Sequence, residues 1–368
     1  MENLAHTLFG LTLAKSGLER VTPLATTTLV ISSNLPDADL VMRLGGGALS
    51  YIEHHRGLTH SFIGLVALSA LLTLFLVYLD RKFRLRRDPF RRPIRPWRIF
   101  LLAYVGGLGH IFLDFTNSYG VRPLLPFSRR WFYGDIAFVV DPWIWLILGS
   151  AVVWLMTKDA LRAGIWLTVG VILSLIMALA FHEPSAELPV PIPSSLRVIW
   201  FVGLFVIVAG LVLGWSRAGA RLARASLFIL ALYYGGMWIA QQTALGQTAG
   251  SPPAQPLTSS AAWPTPANPF LWQSVASTEE KLYTRYANLL EPQGEWRDLP
   301  ALEYRLAEAL RRAEPSRKFL EFTRYASARV EEREDGYTIA LRDLRFALRM
   351  NVVLDRDLVV QSAEVLWF

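Results

Sequence analysis

Five of the six histidines in this 368-residue chain fall before residue 111, each with an acidic or histidine neighbour in the same region. The pieces are His6, the turn Asn34-Leu-Pro-Asp37-Ala-Asp39, the run His54-His55-Arg56-Gly57-Leu58-Thr59-His60-Ser61, and Gly109-His110-Ile-Phe-Leu-Asp114. His110 and Asp114 stand four residues apart, so a helix carries both on one face, as a bidentate metal motif requires. Asp37 and Asp39 bracket one residue in a Pro-containing turn and can present two carboxylates to one or two cations. The chain has no cysteine, so any metal must sit on nitrogen and oxygen. That donor set suits Zn, Mn or Fe ahead of Mg, with Ni also in range. The candidate ligands His6, Asp37, Asp39, His55, His60, His110 and Asp114 exceed one tetrahedral shell. One or two divalent ions are therefore expected, with a bridging carboxylate and an activated water. Arg56 could stabilise a developing negative charge, and Asp37 or Asp39 could shuttle a proton.

Each piece alone has a plainer reading. A histidine near a membrane boundary is usually a hydrogen-bonded interfacial residue, and paired aspartates in a turn often form an Asx turn or a helix cap. Arg56 could equally meet a lipid headgroup or a backbone carbonyl. Asn34, Thr59, Asn117, Asp135 and Asp141 form a second tier that would orient ligands from behind. Asp141 directly precedes Pro142 and fits a helix cap slightly better. His182 stands apart at the end of a span and reads as interfacial.

The elements that must position these residues are set by hydropathy. The chain is 53% hydrophobic and only 18% charged, against about 25% charged in a soluble domain. Six stretches are apolar enough to span a bilayer at about 20 residues each: 62–79, 99–115, 136–156, 164–181, 198–214 and 225–240. Before them, residues 4–33 form two shorter apolar segments that read as a helical hairpin, returning Asn34 to the side where His6 began. The loop 81–98 holds nine basic residues against Asp88 alone, and 157–163 and 215–224 are also basic. Every second loop is thus cytoplasmic by the positive-inside rule. A nucleic-acid patch would not repeat in this way, so no nucleic acid is expected as a partner. His60, His110, Asp114 and the hairpin pieces then converge at the extracytoplasmic face of a bacterial-type inner membrane.

The expected fold is an all-α polytopic membrane domain over 1–240, with about six spans plus the N-terminal hairpin. A Gly/Pro/Ser/Ala-rich linker over 241–269 follows, then a small soluble α+β domain over 270–368 on the extracytoplasmic side. In that domain, 278–290 and 299–312 have helical patterning, and 318–332, 336–344, 346–354 and 358–366 alternate as strands.

His6, the Asn34-Leu-Pro-Asp37-Ala-Asp39 turn, His55-Arg-Gly-Leu-Thr-His60-Ser and Gly-His110-x-x-x-Asp114 together resemble the YdjM-type inner-membrane proteins, described as LexA-binding and assigned as metal-dependent hydrolases. The motifs cover roughly the first 145 residues, and the later spans and tail look similar to longer members. The resemblance implies a helical membrane domain with His55, Arg56, Thr59, His60, His110 and Asp114 matched by motif. His6, Asp37 and Asp39 match in type and order. A more distant similarity is to zinc phospholipase C-type phosphodiesterases.

These features give an expectation of metal-dependent hydrolysis at the extracytoplasmic membrane face. The substrate class would be a lipid or lipid-linked (phospho)ester, with membrane lipids as partners. The rival is a non-enzymatic scaffold in which a structural metal holds the hairpin and the tail domain recruits an unidentified protein. Transport would need polar residues along several spans, and 164–240 is nearly free of charge.

Overall fold

The computed structural model describes residues 1–88, 90–179, 192–291, 294–346 and 348–366, with the backbone alone over 42–46. His182, with the rest of 180–191, lies outside the described residues. The chain divides into two compact units. The first comprises Met1–Ala38, Leu58–Ile239 and Thr265–Pro269; the second comprises Asp39–Gly57, Ala240–Pro264 and Phe270–Phe368.

Helices dominate the first unit: α1 (Asn3–Lys15), α2 (Ala25–Ser32), α4 (Phe62–Leu79), α6 (Pro96–Phe115), α7 (Pro142–Met156), α8 (Ala160–Leu179), α9 (Ser194–Val212) and most of α10 (Ala220–Gly250). A helix α3 (Met42–His54) belongs to the second unit, and a last turn α5 (Leu85–Arg87) follows α4 through a π turn over Asp80–Arg84. The α4–α5 stretch, α6, α8, α9 and α10 are long and apolar enough to cross a membrane. The sixth expected span, α7, is apolar but has 15 residues.

Local chemistry explains the element ends. The Ser61 hydroxyl caps α4 by accepting from the Gly64 N–H at 3.0 Å. Asp141 caps α7, accepting from the N–H groups of Trp143 and Ile144, and its other oxygen accepts from the Tyr233 hydroxyl at 2.7 Å. In the Thr-rich α2 the buried Thr28 hydroxyl is satisfied by donating to the Leu24 carbonyl at 2.8 Å.

Close packing sets the hairpin against the spans. Helix α2 packs on α1 and α6, and α4 packs on α6. Glycines permit the approach: a Cβ at Gly106 would lie 2.0 Å from the Ser32 hydroxyl and 3.2 Å from the Leu29 carbonyl oxygen. A Cβ at Gly10 would lie 2.8 Å from that same carbonyl. Beyond α1, a core of Leu8, Leu113, Ile144, Trp145, Leu148 and Trp200 joins α1 to α6, α7 and α9.

The second unit holds two antiparallel four-stranded sheets. One has the order β1 (Ser259–Thr265), β2 (Asn268–Ser277), β3 (Lys281–Asn288), β4 (Arg297–Pro300), and the other β5 (Ala326–Arg333), β6 (Gly336–Asp343), β7 (Arg349–Asp355), β8 (Val360–Leu366). Helices α11 (Tyr304–Arg312) and α12 (Glu314–Phe322) lie between them in sequence. Helix α3 packs on α12, with Lys318 bridging Glu53 and Glu314 at 2.7 Å each.

Three local expectations are corrected here. The stretch 241–250 continues α10, since it lacks proline and Thr248 bonds back to the Ala244 carbonyl at 3.1 Å. Residues 259–277 are strands, with Pro264 tolerated because β1 is the sheet edge. The expected helix over 278–290 is instead β3, paired with β2 from Leu271↔Asn288 to Ser277↔Leu282 and flanked by β4. Ladder pairing on both sides outweighs its helical pattern. Likewise 314–322 is α12, opened by Pro315 in its first turn, and the strand begins only at Ala326.

Candidate metal centre

Four elements of the first unit bring one ligand cluster together. Helix α1 carries His6, the 3-10 turn after α2 carries Asp37, the 3-10 turn before α4 carries His60, and α6 carries His110 and Asp114. His6, His60, His110 and Asp114 are fully buried and Asp37 nearly so. Asp37, His60, His110 and Asp114 each offer one ligand atom, all within 4.8 Å of one another.

The spacing inside that group is informative. His60 Nε2 lies 3.4 Å from Asp37 Oδ1 and 3.3 Å from Asp114 Oδ2. His110 Nε2 lies 3.5 Å from Asp37 Oδ1, 3.4 Å from Asp114 Oδ2 and 3.1 Å from His60 Nε2. Bonds of about 2.0–2.2 Å to a tetrahedral ion set neighbouring ligand atoms about 3.3–3.6 Å apart. The residues therefore fit a four-coordinate divalent ion.

Supporting contacts aim the ligands. His110 Nδ1 donates to the Ser33 carbonyl at 2.8 Å, which turns Nε2 toward the carboxylates. His60 Nδ1 pairs with the Thr59 hydroxyl at 3.0 Å. Asn3 donates to Asp37 Oδ2 at 3.3 Å, and Asn34 ties α2 to α1 through Thr7 at 3.1 Å. Burial pushes the Asp37 carboxyl up, but hydrogen bonds from His110 and His60 outweigh it and hold Asp37 below the usual carboxylate range. Positive charge, whether protons or a metal ion, is thus favoured at the centre.

His6 adds a second, smaller set on the other oxygen of Asp114. Its ring stacks on His110 at 3.8 Å between centroids, and its Nε2 lies 3.5 Å from Asp114 Oδ1. Both ring nitrogens of His6 are buried without a hydrogen bond. A buried imidazole with neither nitrogen satisfied is costly unless something binds there. The Met1 ammonium also contacts Asp114 Oδ1, so a cationic group already lies on that side of the carboxylate. Burial, then the neighbouring His110, lowers the His6 pKa to about 3, keeping the ring neutral and able to ligate.

Asp39 and His55 remain candidate ligands in a separate grouping. Asp39, His55 and Arg56 fall in the second unit, where Asp39 accepts from His55 Nδ1 at 2.9 Å and from the Arg56 backbone N–H at 3.1 Å. Arg56 has left-handed backbone, with φ of 55°. His54 is exposed and bonds its own helix at the Ser50 carbonyl. Asn117 accepts from the Tyr119 N–H at 2.9 Å, and Asp135 lies buried in the loop that folds back on Phe115 and Thr116. Asp141 is the α7 cap described above. Sequence reasoning missed Asn3 and Ser33. Asn3 carried a signal, being one helical turn before His6, whereas Ser33 acts through a backbone carbonyl that no side-chain pattern reports.

The helices and the buried His/Asp cluster define a multi-pass membrane protein with a candidate metal site. The chain belongs to the YdjM inner membrane protein family, whose model matches residues 1–185. It is also similar to the uncharacterized protein YfhP of Bacillus subtilis (strain 168), at 32% identity over 125 residues. That match covers 33% of this chain and 34% of the relative, about a third of each. No solved structure matches the chain.

Proposed function

We propose that the protein is a membrane-embedded, metal-dependent hydrolase acting on a lipid or lipid-linked (phospho)ester at the extracytoplasmic face. The reading rests on one observation: two imidazole nitrogens 3.1 Å apart, His60 Nε2 and His110 Nε2, face two buried carboxylates. Asp37, His60, His110 and Asp114 Oδ2 would hold one divalent ion, Zn, Mn or Fe ahead of Mg. His6 and Asp114 would hold a second in place of the Met1 ammonium that now contacts Asp114. Metal bound there would supply Lewis acidity and lower the pKa of a water. Asp37, held ionised and bonded to Asn3, would help hold the first ion.

A lipid substrate is supported by an apolar cavity of about 640 Å³ lined by Leu4, Leu8, Trp145, Trp166 and Trp200, among others. Leu4 and Leu8 lie on α1, the helix that carries His6, so one helix borders both the centre and space for a hydrocarbon chain. The extracytoplasmic assignment, for the centre and for the C-terminal domain, rests on the alternation of basic loops.

A structural ion is the second reading, favoured by the full burial of His60, His110 and Asp114 and by a four-ligand set that closes a tetrahedral shell. Elemental mass spectrometry of detergent-purified protein, followed by phosphodiester and lipid-ester turnover assays with and without chelator, separates the two. Stoichiometric metal with chelator-sensitive turnover supports the hydrolase. Tight metal without turnover on any lipid ester favours the scaffold, and no metal from Zn, Mn, Fe or Mg ends both readings.

A further inference from the structure

The connection between α4 and α6 lies at the opposite end of both helices from His60, His110 and Asp114, and the metal centre makes no use of it. Over 81–98 it carries nine basic residues against Asp88. Four cations are committed locally: Arg84 to Asp80, Arg91 to Asp88 at 3.1 Å, Arg98 to the Val21 carbonyl at 2.7 Å, and Lys82 to the Tyr78 hydroxyl at 2.5 Å. The other five, Arg81, Arg86, Arg87, Arg92 and Arg95, are exposed and have no carboxylate partner among the described residues.

This is a built platform rather than a loose tether. Asp80 is buried and holds both ends, accepting from Arg84 and from the Ile94 N–H at 3.1 Å. Ile94 is itself buried in a cluster with Leu72, Leu76 and Ile99. Arg84 also donates to the Arg92 carbonyl, closing the turn. Three aromatic rings stand outward among the cations: Phe83, Trp97 and Phe90, the last 98% exposed. The platform joins two helices long enough to cross a membrane, so it sits where chain leaves bilayer.

From this we infer that the 81–98 platform binds the headgroups of anionic phospholipids, its arginines on the phosphates and Phe83, Phe90 and Trp97 in the headgroup layer. Five unmatched cations need anions at a membrane surface, and outward aromatic rings suit an apolar boundary better than a nucleic acid groove. A cation near an anionic surface strengthens attachment roughly fivefold, so the set should discriminate sharply against zwitterionic lipid.

The test is native mass spectrometry of the full chain in detergent with added phosphatidylglycerol or phosphatidylcholine. The wild type should retain phosphatidylglycerol at least tenfold more than phosphatidylcholine, and rising salt should remove that preference. R81Q/R86Q/R87Q/R92Q/R95Q should abolish it. Because loop charge also sets orientation, F90A, which leaves every charge, is the second variant; it should weaken retention severalfold. Equal retention of the two lipids by the wild type overturns the inference. So does a preference that survives the five-site variant, or a wild type that binds a DNA duplex while showing no lipid preference.

Discussion

The Nε2 atoms of His60 and His110 lie 3.1 Å apart, although the two residues stand fifty positions apart and reach the site from different helical ends. With His110 Nδ1 donating to the Ser33 carbonyl, its Nε2 faces another nitrogen and two carboxylates. That array repels itself unless a cation sits within it. The first prediction follows directly. His60→Ala or His110→Ala should lower metal occupancy to background, and Asp114→Asn should lose more metal than His6→Gln because Asp114 faces both sets. Elemental mass spectrometry on matched preparations checks the order.

Gly106 keeps α6 against α2, and through that contact it keeps His110 in reach of Ser33. Gly106→Ala would place a Cβ 2.0 Å from the Ser32 hydroxyl and 3.2 Å from the Leu29 carbonyl oxygen. Overpacking of this kind costs about 1–3 kcal/mol. Gly107→Ala meets the end of the Leu65 side chain, at 2.7 Å, rather than backbone, and should cost less. Thermal unfolding in detergent and metal affinity should both fall in the order wild type, Gly107→Ala, Gly106→Ala.

His6 sets a pH dependence on the metal-free protein. Its pKa is lowered from 6.5 to about 3 in the folded chain, chiefly by burial. The unfolded chain then binds more protons between those values, so stability is full above about 6.5 and declines as pH falls toward 3. His6→Gln should remove that part of the slope. Chelated wild type and variant, unfolded across pH, should therefore converge on acidification; parallel curves would contradict the assignment.

In the second unit, Arg345 and Asp343 form a fully buried pair at 2.7 Å, and Arg345 also donates to the Phe322 carbonyl. Asp343→Ala strands a buried guanidinium and should destabilise that unit by about 3–5 kcal/mol. Replacing both partners with apolar residues should cost much less. Limited proteolysis of the C-terminal region checks the contrast.

How much of this was legible beforehand varies residue by residue. The i, i+4 spacing of His110 and Asp114 survives because a helix fixes it locally. The convergence of His6, Asp37 and His60 on them was legible through topology, since an apolar hairpin and two spans have few ways to arrange their ends. Asp37 and Asp39 looked equivalent in sequence, yet Asp37 meets His60 and His110 while Asp39 accepts from His55 and the Arg56 N–H. The tail was least legible: 278–290 has a helical pattern, and only its pairing between β2 and β4 makes it a strand.

The sequence by itself determined that this is a membrane chain, where its apolar helices lie, and which residue types could ligate, because hydropathy and helical spacing are local properties. Tertiary structure alone decided which oxygens and nitrogens meet, that Ser33 lends a carbonyl and Asn3 an amide, and that His6 stands over the far oxygen of Asp114. Those outcomes depend on the close approach of α1, α2 and α6. Glycines at 10 and 106 permit them, and no periodicity along the chain encodes them.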